Sequence, residues 1–304
     1  MNYPFYQVDV FAEKKYAGNQ LAIVRNAADL SDQSMQEIAM EMNFSETTFI
    51  LSDRERNGGY DVRIFSLDQE LPFAGHPTLG TAYIIQQELI KENVPVVKLN
   101  LKVGQIPVIF SYENEKPDIL WMKQVAPWFG RTFNNEEVAR ALNITPDQLA
   151  ENYPVQEVST GLPFIITPLK SLEAVKACFV DSVGYLNLID NAEAKSILVF
   201  CPETYHPENQ INARMFDQYH GITEDPATGS ANGCLAAYLV KQRYLNASKI
   251  NLRVEQGYEI GRPSLLLIKA HEAEKEFNSI NGIEENIAVS VGGKVIMIAH
   301  GELV

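Results

Sequence analysis

Residues 213–239 read ARMFDQYHGITEDPATGSANGCLAAYL, and residues 63–83 read RIFSLDQELPFAGHPTLGTAY. Each stretch opens with Arg-x-Phe in a strand-like run, passes through a polar loop, and ends in Pro-x-x-Gly feeding an apolar helix. With Gly75 set on Gly229, Pro72 falls on Pro226, Thr81-Ala82 on Leu235-Ala236, and His76 on Ser230. The Arg-x-Phe strands are offset by three residues, which the longer second loop absorbs. One chain carries two copies of a strand, loop and helix-start unit.

Composition bounds what such a chain does. Its 304 residues suit two domains of ordinary size, each able to bury a core. Apolar residues at 46% and charged residues at 21% are those of a soluble globular protein. A formal charge of −14 argues against nucleic acid or an anionic membrane as partner, since neither attracts a strongly acidic surface. Met1 runs straight into a strand-like segment, with no basic and apolar leader and no long apolar run, so neither export nor a membrane span is expected. The three cysteines, Cys178, Cys201 and Cys234, are odd in number and widely spaced, which gives neither a disulfide framework nor a metal spacing. A cytoplasmic protein is expected.

Taken in order, Tyr3 to Phe11 alternates as a half-buried strand does, and Leu21 to Val24 resumes a strand after the Gly18-Asn19 turn. Ser31 is placed to cap a helix running to Met42. Asn43 to Leu51 reads as a strand with Glu46 at its entrance. Val96 to Lys102 and Ile106 to Tyr112 form a hairpin, and Ile119 to Val125 extends the strand pattern. Short helices are expected at Asn135 to Leu142 and at Thr145 to Glu151, the second with Pro146 at its first position. The Pro- and Asn-rich stretch Ala126 to Tyr153 is the candidate connection between halves. Ser159 to Ile166 loosely echoes Ser45 to Ile50. Ser171 to Cys178 is helical, and Ser196 to Cys201 is a strand. Ile250 to Gln256 and Ser264 to Ala270 bracket a glycine-punctuated turn, Gly257 to Pro263, and Ile287 to Val291 pairs with Lys294 to His300 through Gly292-Gly293. Strands outnumber helices, and each half runs several strands around few helices, which makes the fold class α+β.

The helix starts carry the first chemical signal. A helix N-terminus presents unpaired N–H groups and partial positive charge, so it binds anions. Gly75 and Gly229 let a ligand approach the backbone, Pro77 suits a first helical position, and Ser230 suits a cap. Ordinary capped helices with tight glycine turns account for either copy alone. The repetition, with titratable His76 and Asp225 beside it, favours function. Glu46 stands in an otherwise apolar run, where partial burial raises a carboxyl's pKa toward the proton-moving range; an exposed edge or cap carboxylate is the alternative. His76 changes charge near neutrality and serves either as acid/base or as a helix-start histidine. Asp225 precedes proline, which biases it to an extended conformation, and a turn or cap aspartate is the plainer alternative.

Other chemistries find little support. Gly229-Ser230-Ala231-Asn232-Gly233 lacks the Gly-x-Ser-x-Gly order of a nucleophile elbow. Phosphate-loop and dinucleotide glycine patterns do not occur, and His271-Glu272 lacks a second histidine four residues on. Neither a metal site nor a bound cofactor is expected.

Seven stretches resemble the PhzF-like family of phenazine biosynthesis, related in fold to diaminopimelate epimerase. They are Asp9-Val10-Phe11 with Gly18-Asn19, Asn43 to Thr47, Arg63-Ile64-Phe65, Glu70 to Thr78, Arg214-Met215-Phe216, Glu224 to Ala231, and Gln256-Gly257 with Gly261 to Ser264. The resemblance implies two similar epimerase-like domains, each a curved, mostly antiparallel sheet around a central helix, with the active site in the cleft between. It implies a first domain of residues 1–118 joined by a returning strand at about 296–304, a second of 119–295, and a homodimer. It also implies that Glu46 is the general acid/base of a cofactor-free isomerisation of a small cyclic dihydro-hydroxyanthranilate-type acid. His76 and Asp225 would assist, while Gly75, Gly229 and Ser230 would hold the substrate carboxylate. Epimerase relatives carry a cysteine just before each glycine; here those positions are Ala74 and Thr228, so two-thiol racemisation is excluded. The alternative is a non-catalytic small-acid binding protein that keeps the cleft, against which Glu46, His76 and Asp225 together count.

Overall fold

Two helices in the chain are buried on almost every side, and a sheet is built around each. In the computed structural model, which describes residues 2–273 and 287–304, the chain divides into two compact units. One comprises Met1–Met122 with Gly292–Val304, the other Lys123–Val291.

In the first unit, β1 (Tyr3–Val10) and β2 (Asn19–Arg25) form an antiparallel pair. α1 (Asp32–Met42) then crosses to β3 (Glu46–Ile50), which lies parallel to β2. Ser31 caps α1 by accepting from the Ser34 N–H at 3.1 Å, as its sequence position predicts. β4 (Tyr60–Ser66) runs antiparallel to β3, and the two-residue β5 (Glu70–Leu71) folds back on it. α2 (Gly75–Ile84) follows and continues into a π-helical stretch, Ile85–Ile90. β6 (Val96–Leu101) lies parallel to β4, and β7 (Gly104–Glu113) and β8 (Lys116–Lys123) complete a meander.

α2 has the composition of a central helix: His76 is its lone titratable residue before Tyr83, and small residues let strands come close. A Cβ on Gly80 would stand 2.6 Å from Leu21 Cδ2 and 3.0 Å from Val10 Cγ2, so β1 and β2 pack where no larger residue fits. A buried hydroxyl bond of 2.8 Å between Thr48 and Thr81 ties β3 to the same helix.

The second unit repeats this order. β9 (Trp128–Thr132) pairs antiparallel with β10 (Gln156–Ser159), and β10 with β11 (Pro163–Pro168). Between β9 and β10 lies α3 (Asn135–Ala141). After β11, α4 (Leu172–Ala177) and α5 (Ser182–Ile189) lead to β12 (Ser196–Cys201), parallel to β11. β13 (Ile211–Asp217) runs antiparallel to β12, and the short β14 (Ile222–Asp225) folds back on it. α6 (Gly229–Lys241) is buried at Gly229 and throughout Ala231–Val240. β15 (Lys249–Gln256) lies parallel to β13 and pairs with β16 (Ser264–Glu272), and β17 (Ile287–Gly293) leads out. β18 (Val295–Leu303) then pairs antiparallel with β1, as β9 does with β10. The fold is a sheet-dominated α+β arrangement.

Several local expectations change. Ala126 to Tyr153 is no connection: Trp128–Thr132 is a paired strand, and Val138, Ala139, Leu142 and Leu149 belong to the second unit's core. The helix expected over Thr145 to Glu151 is one 3₁₀ turn, Pro146–Gln148, closed by a Thr145–Gln148 capping box. α5 went unread because in its sequence, SVGYLNLI, the exposed apolar Val183 and Leu186 mask the helical spacing of buried Gly184, Tyr185, Leu188 and Ile189. The echo of Ser45 to Ile50 is also misplaced. By pairing, the strand equivalent to β3 is β12, since Thr47 faces Phe65 on β4 and Ile197 faces Phe216 on β13.

The duplicated Arg-x-Phe has a single physical task. Arg63 grips Glu70 on β5 with Nε at 2.8 Å and a second nitrogen at 2.6 Å. Arg214 grips Glu224 on β14 in the same fork, at 3.0 and 2.7 Å. Each guanidinium also lies over the phenylalanine two residues on, 5.1 Å and 4.8 Å from the ring centre. The second fork is the more buried, with 9% and 5% of its side chains exposed, and its remaining nitrogen donates to the Val175 and Cys178 carbonyls. The first is shared, because Glu70 also binds Lys102 at 2.6 Å. Arg214→Met should therefore cost about 3–5 kcal/mol by stranding a buried carboxylate. Arg63→Met should cost about 1–3 kcal/mol, because Lys102 still serves Glu70. Urea unfolding of both variants checks this, and equal losses would contradict it.

Candidate active site

In the first unit the Arg63 fork fixes β5, and five residues after Glu70 the chain turns into α2 at Gly75. Ala74 is the N-cap, with extended backbone and no side-chain cap bond. Its carbonyl instead accepts from the Thr78 hydroxyl at 2.7 Å and the Thr78 N–H at 3.3 Å. Pro77 is thus the third helical residue, not the first, and as proline it offers no N–H. The Gly75 and His76 amides head the helix without a side-chain cap from Ala74.

His76 is 6% exposed. Its Nε2 lies 3.3 Å from the Gln20 carbonyl and 3.4 Å from Glu46 Oε2. A carbonyl only accepts, so Nε2 carries a proton and donates. Burial pushes the ring's pKa down to about 3, against the upward pull of the Gln20 carbonyl. The imidazole is therefore neutral at physiological pH, and because its one N–H is given to the Gln20 carbonyl it lies beside Glu46 Oε2 as an uncharged neighbour, with neither an ion pair nor a hydrogen bond between them. Glu46, the first residue of β3, has 17% of its side chain exposed. The structure brings Glu46, His76 and Gly75 together at one end of α2.

The second unit builds a parallel arrangement with different groups. Asp225 ends β14 and is 6% exposed, so it is a strand residue and not a turn aspartate. Thr228 is the N-cap of α6, which places Ser230 at the second helical position; Ser230 is not the cap expected from sequence. The Thr228 carbonyl accepts from the Asn232 side chain and N–H, both at 3.0 Å, as the Ala74 carbonyl does from Thr78. Asp225, Gly229 and Ser230 thus stand at the start of α6. No carboxylate occupies the counterpart of Glu46: the residue preceding Ile197 is Ser196, itself buried.

Thr78, Asn232 and Gln256 were missed from sequence. The first two fall on each other once Gly75 is set on Gly229, polar residues at the same place in apolar helices. That coincidence was a readable signal. Gln256 is remote in sequence, and only the fold brings it to Asp225. The positions taken by thiols in epimerases are the two N-caps, Ala74 and Thr228. Burial pushes all three thiols, Cys178, Cys201 and Cys234, up to about 12, so they stay protonated. Among the described residues no cluster of three His, Cys, Asp or Glu side chains could hold a metal ion.

The buried neutral imidazole has a consequence for acid stability. Between about pH 6.5 and 3 the unfolded chain binds a proton at His76 that the folded chain refuses. Stability therefore falls as pH drops through that window. NMR titration should find the His76 ring neutral down to pH 5, and His76→Gln should flatten that part of the acid-stability curve. A ring midpoint near 6.5 would contradict the burial argument.

Residues 8–301 match the family model described as phenazine biosynthesis-like protein. An uncharacterized isomerase of Clostridium acetobutylicum is 32% identical over 309 residues, covering 99% of this chain and 98% of that protein. The trans-2,3-dihydro-3-hydroxyanthranilate isomerase of Pseudomonas aeruginosa is 31% identical over 273 residues, covering 90% and 92%. The crystal structure of a Bacillus anthracis phenazine biosynthesis protein of the PhzF family superimposes with a TM-score of 0.88 at 26% identity, covering 100% of this chain and 99% of that one. The chain, with its two helix starts, its Glu46–His76 pair and its Asp225–Thr228 turn, belongs to the PhzF family of phenazine biosynthesis-like proteins.

Proposed function

We propose that this protein is a cofactor-independent isomerase that moves a proton, and with it a double bond, within a small carboxylic acid. The observation that carries this reading is the Glu46–His76 pair, a largely buried carboxyl whose Oε2 lies 3.4 Å from Nε2 of a neutral imidazole. A carboxylate in that place is a competent base, because the neutral imidazole beside it adds no positive charge that would hold it ionised and weaken it as a base. Glu46 removes a proton from one carbon of the substrate. The electrons of that C–H bond form the new double bond, the old double bond shifts, and Glu46 returns the proton to the far carbon. Atoms and charge balance without any added reactant.

In the same reading His76 and Asp225 assist the transfer, while the Gly75, Gly229 and Ser230 amides hold the substrate carboxylate, as uncapped helix starts hold anions. That several relatives are named isomerases supports the reaction class, and the Pseudomonas relatives name one substrate to try first, trans-2,3-dihydro-3-hydroxyanthranilate. The reading includes a homodimer in the cytoplasm, which light scattering and fractionation address. No helix among the described residues is long and apolar enough to cross a membrane.

The test is proton exchange in deuterated water across a panel of small carboxylic acids that includes this compound. The wild type should place deuterium on carbon, and Glu46→Gln should lose about 10² to 10⁴ of the rate while keeping its melting temperature. A fully active Glu46→Gln enzyme would sink the mechanism. Tight binding of an acid with no exchange into it would point instead to a binding protein.

A further inference from the structure

Gln256, the last residue of β15, is fully buried and directs its whole side-chain amide at the segment feeding α6. Its Nε2 donates to the Asp225 carbonyl at 2.9 Å and to Thr228 Oγ1 at 3.1 Å. Its Oε1 accepts from Asn232 Nδ2 at 2.8 Å and from the Thr228 N–H at 3.3 Å. A side-chain amide has two donors and two acceptor lone pairs, so all its capacity is used.

The amide orientation follows from its neighbours. A flipped amide would set its oxygen against the Asp225 carbonyl and its NH₂ against the Thr228 N–H. The Thr228 hydroxyl must therefore accept from Gln256, which leaves its single proton for Asp225 Oδ2, its partner in a short hydrogen bond. The backbone fixes the same geometry. Gly257 has φ +78°, and a Cβ there would stand 2.5 Å from both the Pro226 and Arg262 carbonyl oxygens. The chain leaving Gln256 thus presses directly on the residue after Asp225.

We propose that Gln256 and Thr228 form a positioning relay, in which Gln256 aims the Thr228 hydroxyl and that hydroxyl holds Asp225 as an ionised hydrogen-bond acceptor. The proposal rests on the reading in which Asp225 assists proton transfer. It also gives the N-cap position, a thiol in epimerases, a different duty here: orienting a neighbouring acid. Charged and titratable groups on the elements packed around Asp225 are Glu224 on its own strand, Arg214 and Asp217 on β13, Tyr219 and His220 on the turn between them, Lys249, Arg253 and Glu255 on β15, and Tyr258, Glu259 and Arg262 after it. α6 adds no charged group before Lys241, and its Cys234 and Tyr238 are held protonated by burial. All of these stay in place when the hydroxyl alone is removed.

The experiment compares wild type, Thr228→Val and Thr228→Ser by ¹³C-carboxyl NMR titration, with Asp225→Asn to assign the signal. A hydrogen bond to the charged form lowers a carboxyl's pKa, so Thr228→Val should raise the Asp225 midpoint by about one unit or more and Thr228→Ser should restore it. If valine prevents folding, Thr228→Ala gives the same readout. An unmoved midpoint overturns the relay. On trans-2,3-dihydro-3-hydroxyanthranilate, Thr228→Val should lose about tenfold in kcat with KM nearly unchanged, as expected when an interaction is felt mainly in the transition state, and serine should recover it. Unchanged kcat in Thr228→Val beside an inactive Glu46→Gln would overturn the relay alone. A fully active Glu46→Gln would remove the isomerase reading, while the titration still judges the relay.

Discussion

A guanidinium forked onto a carboxylate stands at the same place in both units, and the helix starts depend on it. Arg63 with Glu70, and Arg214 with Glu224, join the strand beside the central helix to the short strand that delivers the chain to that helix. Each carboxylate lies five residues before the glycine that opens its helix. Once the fork is closed, the turn has little freedom in how it meets the helix. The Arg63 fork holds the Glu70 carboxyl below the usual carboxylate range against the opposing effect of burial. The second loop reaches its arginine from ten residues away where the first does so from seven, so three extra residues are accommodated without moving the helix start.

On this duplicated frame the side chains diverge. Both N-cap carbonyls are tied back by a polar side chain four residues on, Thr78 or Asn232, and neither N-cap side chain covers the amides beyond it. The first unit then adds Glu46 and a buried neutral imidazole. The second has Ser196 where Glu46 would be and puts its acid, Asp225, inside a network of hydroxyl and amides. Symmetry supplies the repeated helix starts, and its loss leaves a single carboxylate, Glu46, where the second unit has Ser196. The proposed isomerisation, which moves one proton between two carbons, calls for one carboxylate that both takes and returns it, and a strict duplication would have offered two.

His76 shows how burial sets chemistry. A histidine is ordinarily half charged near pH 6.5, yet enclosure behind β2 and β3 leaves this one neutral, so it donates from Nε2 and adds no positive charge beside Glu46. The 2.8 Å bond between Thr48 and Thr81 holds the strand of Glu46 to the helix of His76, so the pair is set by packed elements and not by a loop.

The duplication, the α+β class, the Ser31 cap and the family are legible in the chain alone, because each is written in local spacing: Pro-x-x-Gly before apolar runs, alternation along strands, and motifs in family order. The chain also brought Glu46, His76 and Asp225 forward as isolated titratable groups in apolar settings. Which groups meet is set by the folded chain. Gln256 lies 28 residues beyond Thr228, and no local pattern says that its amide closes on that turn. The equivalence of Ser196, rather than the Ser159 stretch, with the strand of Glu46 emerged only from strand register, since a parallel neighbour is chosen by packing over long separations. The same holds for the neutral state of His76: a pKa is a property of surroundings, and those surroundings are contributed by residues far apart in the chain.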